Sequence, residues 1–374
     1  MSPEIDSRAP DAASSLLGAR YEFDGRPHLS LNALQLEVKA QLEGKLATGA
    51  YQFESVPCAL CGGSDFTPLA AKDRYGLRLP VVMCEGCALV ATNPRMDASS
   101  YNAFYDDEYR PLYGGEPEPT ADFFGAQYRA GARVHAYVMR YRGLSARDAR
   151  APAVLEIGCG AGGLLQYFKD RGCRVLGLDL GEAYLGYGRR EHGLDLRQGT
   201  LADVPRDFLP DLVIYSHVLE HLLDPLAEMR RLREVLAGDG ALYCEVPGLR
   251  NLWRFYRMDL LRYLQNAHTF HFTGVTLRWM LEEAGLVAVA CDDRVRSIFV
   301  DASAPGAPSV APRTATAVMA ERDHTLAYLR RAERVRHVTP SHPPELREDA
   351  RSATFRALDA AGILPVLRRL LGRR

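Results

Sequence analysis

The chain has 374 residues, 47% hydrophobic and 25% charged, with 46 basic against 47 acidic side chains. This composition predicts an ordinary globular protein of roughly two or three domains. It offers no global basic excess for nucleic acid and no apolar run near the ~20 residues that span a bilayer.

The first 50 residues read as an extension, flexible to about residue 28. Leu31, Leu34, Val38, Leu42 and Leu46 then recur at helical spacing, with Ser30 placed to cap. The start has no basic or apolar leader, and eight cysteines without one fit a reducing cytoplasm better than a disulfide scaffold. Residues 51–115 hold two C-x2-C knuckles, Cys58 with Cys61 and Cys84 with Cys87, with Gly62 and Gly86 in or beside the turns. Two such knuckles predict one tetrahedral four-thiolate zinc site, structural because no ligand position stays open. Free or disulfide-linked thiols are the alternative. Short strands are expected between the knuckles. An Asn93-Pro94 step and the aromatics Phe104, Tyr105 and Tyr109 follow. Residues 116–150 form a connector with an aromatic-faced helix over 121–143.

An apolar run at 154–157 leads into Gly158, Gly160, Gly162 and Gly163, and an amphipathic segment follows. This predicts a buried parallel strand, a tight turn and a helix, with room for a ligand against the bare backbone. A second strand, 175–178, ends in Asp179, placed to accept hydrogen bonds from ribose hydroxyls, with Leu180 beside it. Glu156, Gly158, Gly160 and Gly162 match E/D-x-G-x-G-x-G. The stretch thus resembles motif I of class I S-adenosylmethionine (SAM) dependent methyltransferases. The resemblance implies an α/β fold over 151–303, a Rossmann-like doubly wound sheet of seven strands, with Glu156 helping to order the ammonium of SAM. A helix such as 121–143 often closes over the cofactor in these proteins.

A third strand is expected at 194–198. Asp203 after it lies either by the adenine amino group or as the cap of the next turn. The fourth strand, 211–216, runs into His217-Val-Leu-Glu220-His221. Ser216 and His217 are expected to face the sulfonium end of the cofactor. The H-x-x-E-H run also permits a metal pair, although its strand-end setting differs from that of the zinc proteases. A helix at 225–236 and a fifth strand at 240–246 follow. The insertion 249–265, rich in Arg, Tyr and Leu with Trp253, reads either as a wall of the acceptor pocket or as a surface helix. Next come His268, Phe270, His271 and Phe272, a helix at 275–284 and a closing pair of strands at 286–302. Residues 304–374 form a helical extension, with helices near 313–337 and 343–371 and a basic end suited to docking or a homodimer contact rather than a membrane anchor.

The knuckles, the Asn-Pro step and F-Y-x3-Y ahead of a methyltransferase domain resemble the zinc-binding methyltransferases of deoxysugar and polysaccharide pathways, including sugar C-methyltransferases. That resemblance covers roughly residues 55–302. It implies a small-molecule, carbohydrate-type acceptor and His268 as catalytic base, with His221 and His271 in reserve. The family's Glu before that His is Ala267 here, so an acidic partner is missing from the motif. Methylation of RNA bases, a non-catalytic SAM-binding scaffold and, more weakly, NAD chemistry are the rival functions. No N/D-P-P-Y/F loop or basic surplus supports the first.

Overall fold

The computed structural model describes residues 15–114, 119–144, 150–292 and 295–338. The expected C-terminal helix at 343–371 lies outside these residues. Strands in chain order are β1 Phe53–Glu54, β2 Phe66–Lys72, β3 Arg78–Cys84, β4 Val90–Thr92, β5 Arg95–Met96, β6 Ala153–Ile157, β7 Arg174–Asp179, β8 Leu196–Gln198, β9 Leu212–Ser216, β10 Ala241–Glu245, β11 Phe270–His271, β12 Leu286–Cys291 and β13 Arg296–Asp301. Helices are α1 Ala33–Ala47, α2 Ala98–Phe104, α3 Arg110–Gly114, α4 Ala121–Tyr141, α5 Gly163–Lys169, α6 Glu182–His192, α7 Pro225–Val235, α8 Leu252–Phe255, α9 Leu260–Tyr263, α10 Gly274–Glu283 and α11 Ala315–Val335.

The main sheet has seven strands in the order β12-β13-β10-β9-β6-β7-β8. Strands β6 to β10 are parallel, and β13 runs antiparallel between β10 and β12. This is the Rossmann-like methyltransferase sheet expected from the sequence. Every residue of β6 is buried, as a central strand covered on both faces requires. From β6 the chain winds outward to β8 and then returns to β9 on the other side. The direction reverses between β6 and β9, and the crevice at their carboxyl ends is where doubly wound sheets bind ligands. Asp211 fixes that pair of strands from below by accepting from Ala153 N and both terminal Arg150 nitrogens, at 2.8, 3.0 and 3.0 Å.

The N-terminal segments do not hang from this sheet. Cys58, Leu60, Cys84, Cys87 and Leu89 share one hydrophobic core with β9, β10 and α10. A second sheet has the order β11-β4-β3-β2. Its edge strand comes from the far half of the chain: Phe270 pairs with Ala91 and His271 with Val90. The 249–265 insertion forms α8 and α9 and packs with β2–β4 and α11 through Leu252, Leu261 and Leu329. Its Trp253 is more than half exposed. Helix α1 starts two residues later than its leucine spacing suggested. Asn32, rather than Ser30, caps it in a capping box with Gln35.

Candidate active site

At the end of β6 the backbone turns through Gly158 and Gly160, with φ of 71° and 55°, values that favour glycine. Gly158 N and Cys159 N both donate to Leu178 O, at 2.7 and 3.1 Å. A Cβ on Gly158 would stand 2.4 Å from Val218 Cγ2. Helix α4 lies over this loop. Its Gln127 accepts from Gly163 N at 3.2 Å and donates to Cys159 O at 3.1 Å. Asp179 is buried at the tip of β7, where its two oxygens accept from Gly160 N and Gly181 N, each at 2.8 Å. Arg110 Nη2 stands 3.9 Å from it. Leu180 alongside is 59% exposed, a large apolar side chain open to the crevice mouth.

Glu156 lies beneath the loop, fully buried, and its Oε2 has no partner. Burial, helped by the charge of Asp179, pushes its carboxyl well above the usual range. Asp203 is engaged as a cap: its Oδ2 accepts from Thr200 N at 2.8 Å and Thr200 Oγ1 at 3.1 Å. An adenine contact would have to use its other oxygen.

The opposite wall begins at Ser216, the last residue of β9. His217 follows with a φ of 59°, a left-handed conformation that is costly for a residue with a Cβ. Its backbone N donates to Glu245 O at 2.8 Å, and its half-exposed ring places Nδ1 3.5 Å from Glu220 Oε1. Burial opposes charge on this ring, but the adjoining carboxylate of Glu220, then Glu245, outweighs it and raises the pKa to about 8. His221 Nδ1 lies 2.9 Å from Ala267 O and 2.5 Å from Tyr105 Oη, and its Nε2 3.8 Å from Glu220 Oε1. Burial lowers the pKa of His221.

His268 is buried with its ring 4.8 Å from that of His221. Its Nδ1 has no partner, and its Nε2 meets the amide of Gln265. Burial, then the neighbouring His221 and His271, holds it well below the usual histidine value. Glu220, 1% exposed, has no hydrogen bond to either carboxylate oxygen. Ligand atoms of Glu220, His221 and His268 all lie within 4.8 Å of one another. The acid missing at position 267 is thus replaced in space: Glu220 arrives from the end of β9.

His271 is the member that does not join them. It sits in β11 at 0% exposure, with both ring nitrogens unpartnered and its pKa pushed down to about 3 by burial. Paired with Val90 in β11, it stands behind His268, with the two rings 6.1 Å apart.

The N-terminal half supplies much of this wall. Tyr101 Oη bonds both His221 O and Ala267 O at 2.7 Å. A π-helical turn, Tyr105–Tyr109, and α3 stack Tyr105, Tyr109 and Tyr113, at centroid separations of 4.5 and 5.7 Å. Arg74 lies 5.2 Å above the Tyr113 ring and donates to Gln265 Oε1. The fully buried Asp73 accepts from Tyr75, Leu77 and Asn266 backbone N–H groups. Burial pushes its carboxyl to about 7. Sequence reasoning gave no role to Arg74, Tyr105, Arg110 or Glu220. Two of them left a signal, Tyr105 in F-Y-x3-Y and Glu220 inside H-x-x-E-H.

The four knuckle cysteines converge as expected. Cys58 Sγ is 3.4 Å from Cys87 Sγ and Cys61 Sγ 3.4 Å from Cys84 Sγ, with no disulfide among them. Each knuckle closes its own turn, Gly62 N to Cys58 O at 2.8 Å and Ala88 N to Cys84 O at 2.9 Å. Hydrogen bonds from Cys84 and Cys87 pull Cys58 toward the thiolate form that metals bind. Four converging thiols are the donor set of a structural zinc.

Residues 127–290 match the family model of a methyltransferase domain. A malonyl-[acyl-carrier protein] O-methyltransferase of Enterobacter lignolyticus is 31% identical over 129 residues, covering 31% of this chain and 51% of that protein. A ubiquinone biosynthesis O-methyltransferase of Stutzerimonas stutzeri is 36% identical over 99 residues, covering 24% of this chain and 42% of that protein. The chain therefore spans about half the length, or less, of these curated relatives. Among solved structures, a SAM-bound amino pentose methyltransferase from Micromonospora echinaspora aligns at 17% identity with a TM-score of 0.37, covering 50% of this chain and 99% of that one. Among the described residues, no helix is long and apolar enough to cross a membrane.

Proposed function

We propose that this protein is an enzyme that transfers the methyl group of SAM to a small acceptor, a sugar, sugar nucleotide or related polysaccharide intermediate. The observation that carries the reading is the buried Asp179 at the tip of β7, held by Gly160 N of the glycine loop that faces it and by Gly181 N just after it. The bare glycine backbone and the orphaned Glu156 Oε2 fit SAM, the one giving close approach and the other an unmet partner for an ammonium. SAM, when bound, supplies a methyl group on an activated sulfonium. Asp179 accepts from the ribose hydroxyls, Leu180 covers the adenine and Glu156 faces the ammonium side. Ser216 and His217 line the sulfonium end.

The chain's other task is to hold a nucleophile in line and, where needed, take its proton. His221 and His268 are both held neutral, the state a base needs, and Glu220 supplies the acid that the resembled motif lacks. Tyr105, Tyr109, Tyr113 and Arg74 give a hydroxyl-rich, cationic wall suited to carbohydrate. On this reading residues 51–115 are both a zinc module, ligated by Cys58, Cys61, Cys84 and Cys87, and the acceptor-facing half of the enzyme. Calorimetry tests the cofactor directly. SAM should bind one per chain and NAD should not; binding of NAD in place of SAM would overturn the assignment.

A further inference from the structure

We propose that Glu220, His221 and His268 hold a divalent cation, a second metal site distinct from the four cysteines. It rests on reading this cluster as the acceptor end, and gives the acceptor hydroxyl a cation to meet rather than a bare ring nitrogen. Three observations carry it.

The first is the donor set. A carboxylate and two imidazoles with ligand atoms within 4.8 Å of one another suit ions such as Mn²⁺ and Zn²⁺. Bonds of about 2.0–2.2 Å at tetrahedral angles put ligand atoms roughly 3.3–3.6 Å apart, so the side chains must draw inward by about an ångström to close the site.

The second is the unmet polarity. Both Glu220 oxygens are buried without a hydrogen bond, and so is Nδ1 of His268, which offers a lone pair in the tautomer that carries its hydrogen on Nε2. A buried carboxylate in that state is costly unless a cation meets it. His217, at 3.5 Å, and His221, at 3.8 Å, both face Oε1, so Oε2 is the oxygen left for a further cation.

The third is the orientation of His221. In the tautomer with its hydrogen on Nδ1, that hydrogen meets the Ala267 carbonyl 2.9 Å away, with Tyr105 Oη beside it at 2.5 Å. The lone pair is then on Nε2, the nitrogen 3.8 Å from Glu220. A carbonyl behind one ring nitrogen is the usual support of a histidine that ligates through the other. The exposed His217 ring marks the open side, from which a cation and an acceptor oxygen could enter.

The test titrates the full-length, zinc-loaded protein with MnCl₂ and follows free Mn²⁺ by electron paramagnetic resonance. Thiolates disfavour Mn²⁺, so the knuckles stay silent. Wild type should take up about one Mn²⁺ per chain. Glu220→Gln and His221→Gln should each weaken it roughly tenfold or more while still binding SAM, which shows that they fold. His217→Asn should leave Mn²⁺ affinity nearly unchanged. Wild-type uptake no stronger than that of the Glu220→Gln/His221→Gln double variant overturns the site and leaves a bare imidazole pair. A wild type that binds Mn²⁺ in the expected pattern yet no SAM supports the cation site while sinking the methyltransferase reading.

Discussion

The two ends of the crevice are built in opposite ways. At the glycine loop the groups come from one continuous stretch, 156–181, closed over by α4, and Asp179 has a backbone donor on each oxygen. At the histidine end the groups come from four separated stretches, around residues 73–75, 101–113, 217–221 and 265–268. There Glu220 and His268 keep polar atoms without partners. Local chain geometry builds the first end by itself and leaves Glu156 Oε2 as its unmet atom. The second is assembled by tertiary packing and remains chemically incomplete, the condition expected where something else must bind.

The comparison can be broken from either side. Removing the knuckle metal should do most. Cys84→Ser should lose zinc and loosen β4, and with it β11 and the His268 loop, so turnover should fall to below about a hundredth. SAM affinity, set at the other end, should change by no more than about threefold, as for distant sites that do not couple. Calorimetry and a radiolabelled methyl-transfer assay read the two separately, and parallel loss of both would show that the ends are not independent. Next is the base. His268→Asn should cut turnover by roughly 10²–10⁴-fold with SAM binding intact. Full activity would move the role to His221.

Smaller effects sharpen the cofactor end. Asp179→Ala should weaken SAM by roughly tenfold to a hundredfold, the worth of a charge-assisted pair of about 1.5–3 kcal/mol. Gly158→Ala should cost about 1–3 kcal/mol of stability, because φ is 71° and the new Cβ meets Val218. Adding Val218→Ala should restore part of that in a thermal melt, leaving the dihedral cost.

The smallest effect lies away from both ends. Asp259 accepts from Arg20 at 2.7 Å and lies 2.8 Å from His28, docking the N-terminal stretch. Burial opposes its charge, but hydrogen bonds from His28 and Arg20 outweigh it and hold its carboxyl well below the usual value. A depressed carboxylate stabilises the fold above its unfolded value near 3.9 and loses that contribution as the pH falls toward the folded value. Asp259→Asn should therefore cost about 1–2 kcal/mol at pH 7 and progressively less below pH 4. An equal cost at pH 7 and pH 3 would show that packing, not charge, is at stake.

What the sequence revealed follows the same division. The glycine turn, Asp179 and the knuckles are set by spacings of a few residues, and local spacing survives into three dimensions. The seven-stranded sheet was implied by the resemblance that the glycine turn carries. The histidine end was legible only in part. Ala267 reads as the loss of an acid, because chain order cannot show Glu220 arriving from another strand. The pairing of His271 with Val90 is nonlocal, so chain order does not show it either. Asp203 was left between two roles, and the reciprocal bonds with Thr200 favour the cap.

The pairing of β11 with β4 also constrains how the molecule comes into being. The knuckle strands leave the ribosome early, whereas His271 follows only after most of the main sheet has been made. Until then β4 is a bare strand edge, and unpaired edges recruit other chains. Early metal capture would keep the newborn knuckles compact through that interval, but it cannot cover the edge. The last step in sealing the small sheet therefore waits for the strand that follows the His268 loop, so the acceptor wall and the protection of that edge are finished in the same act of folding.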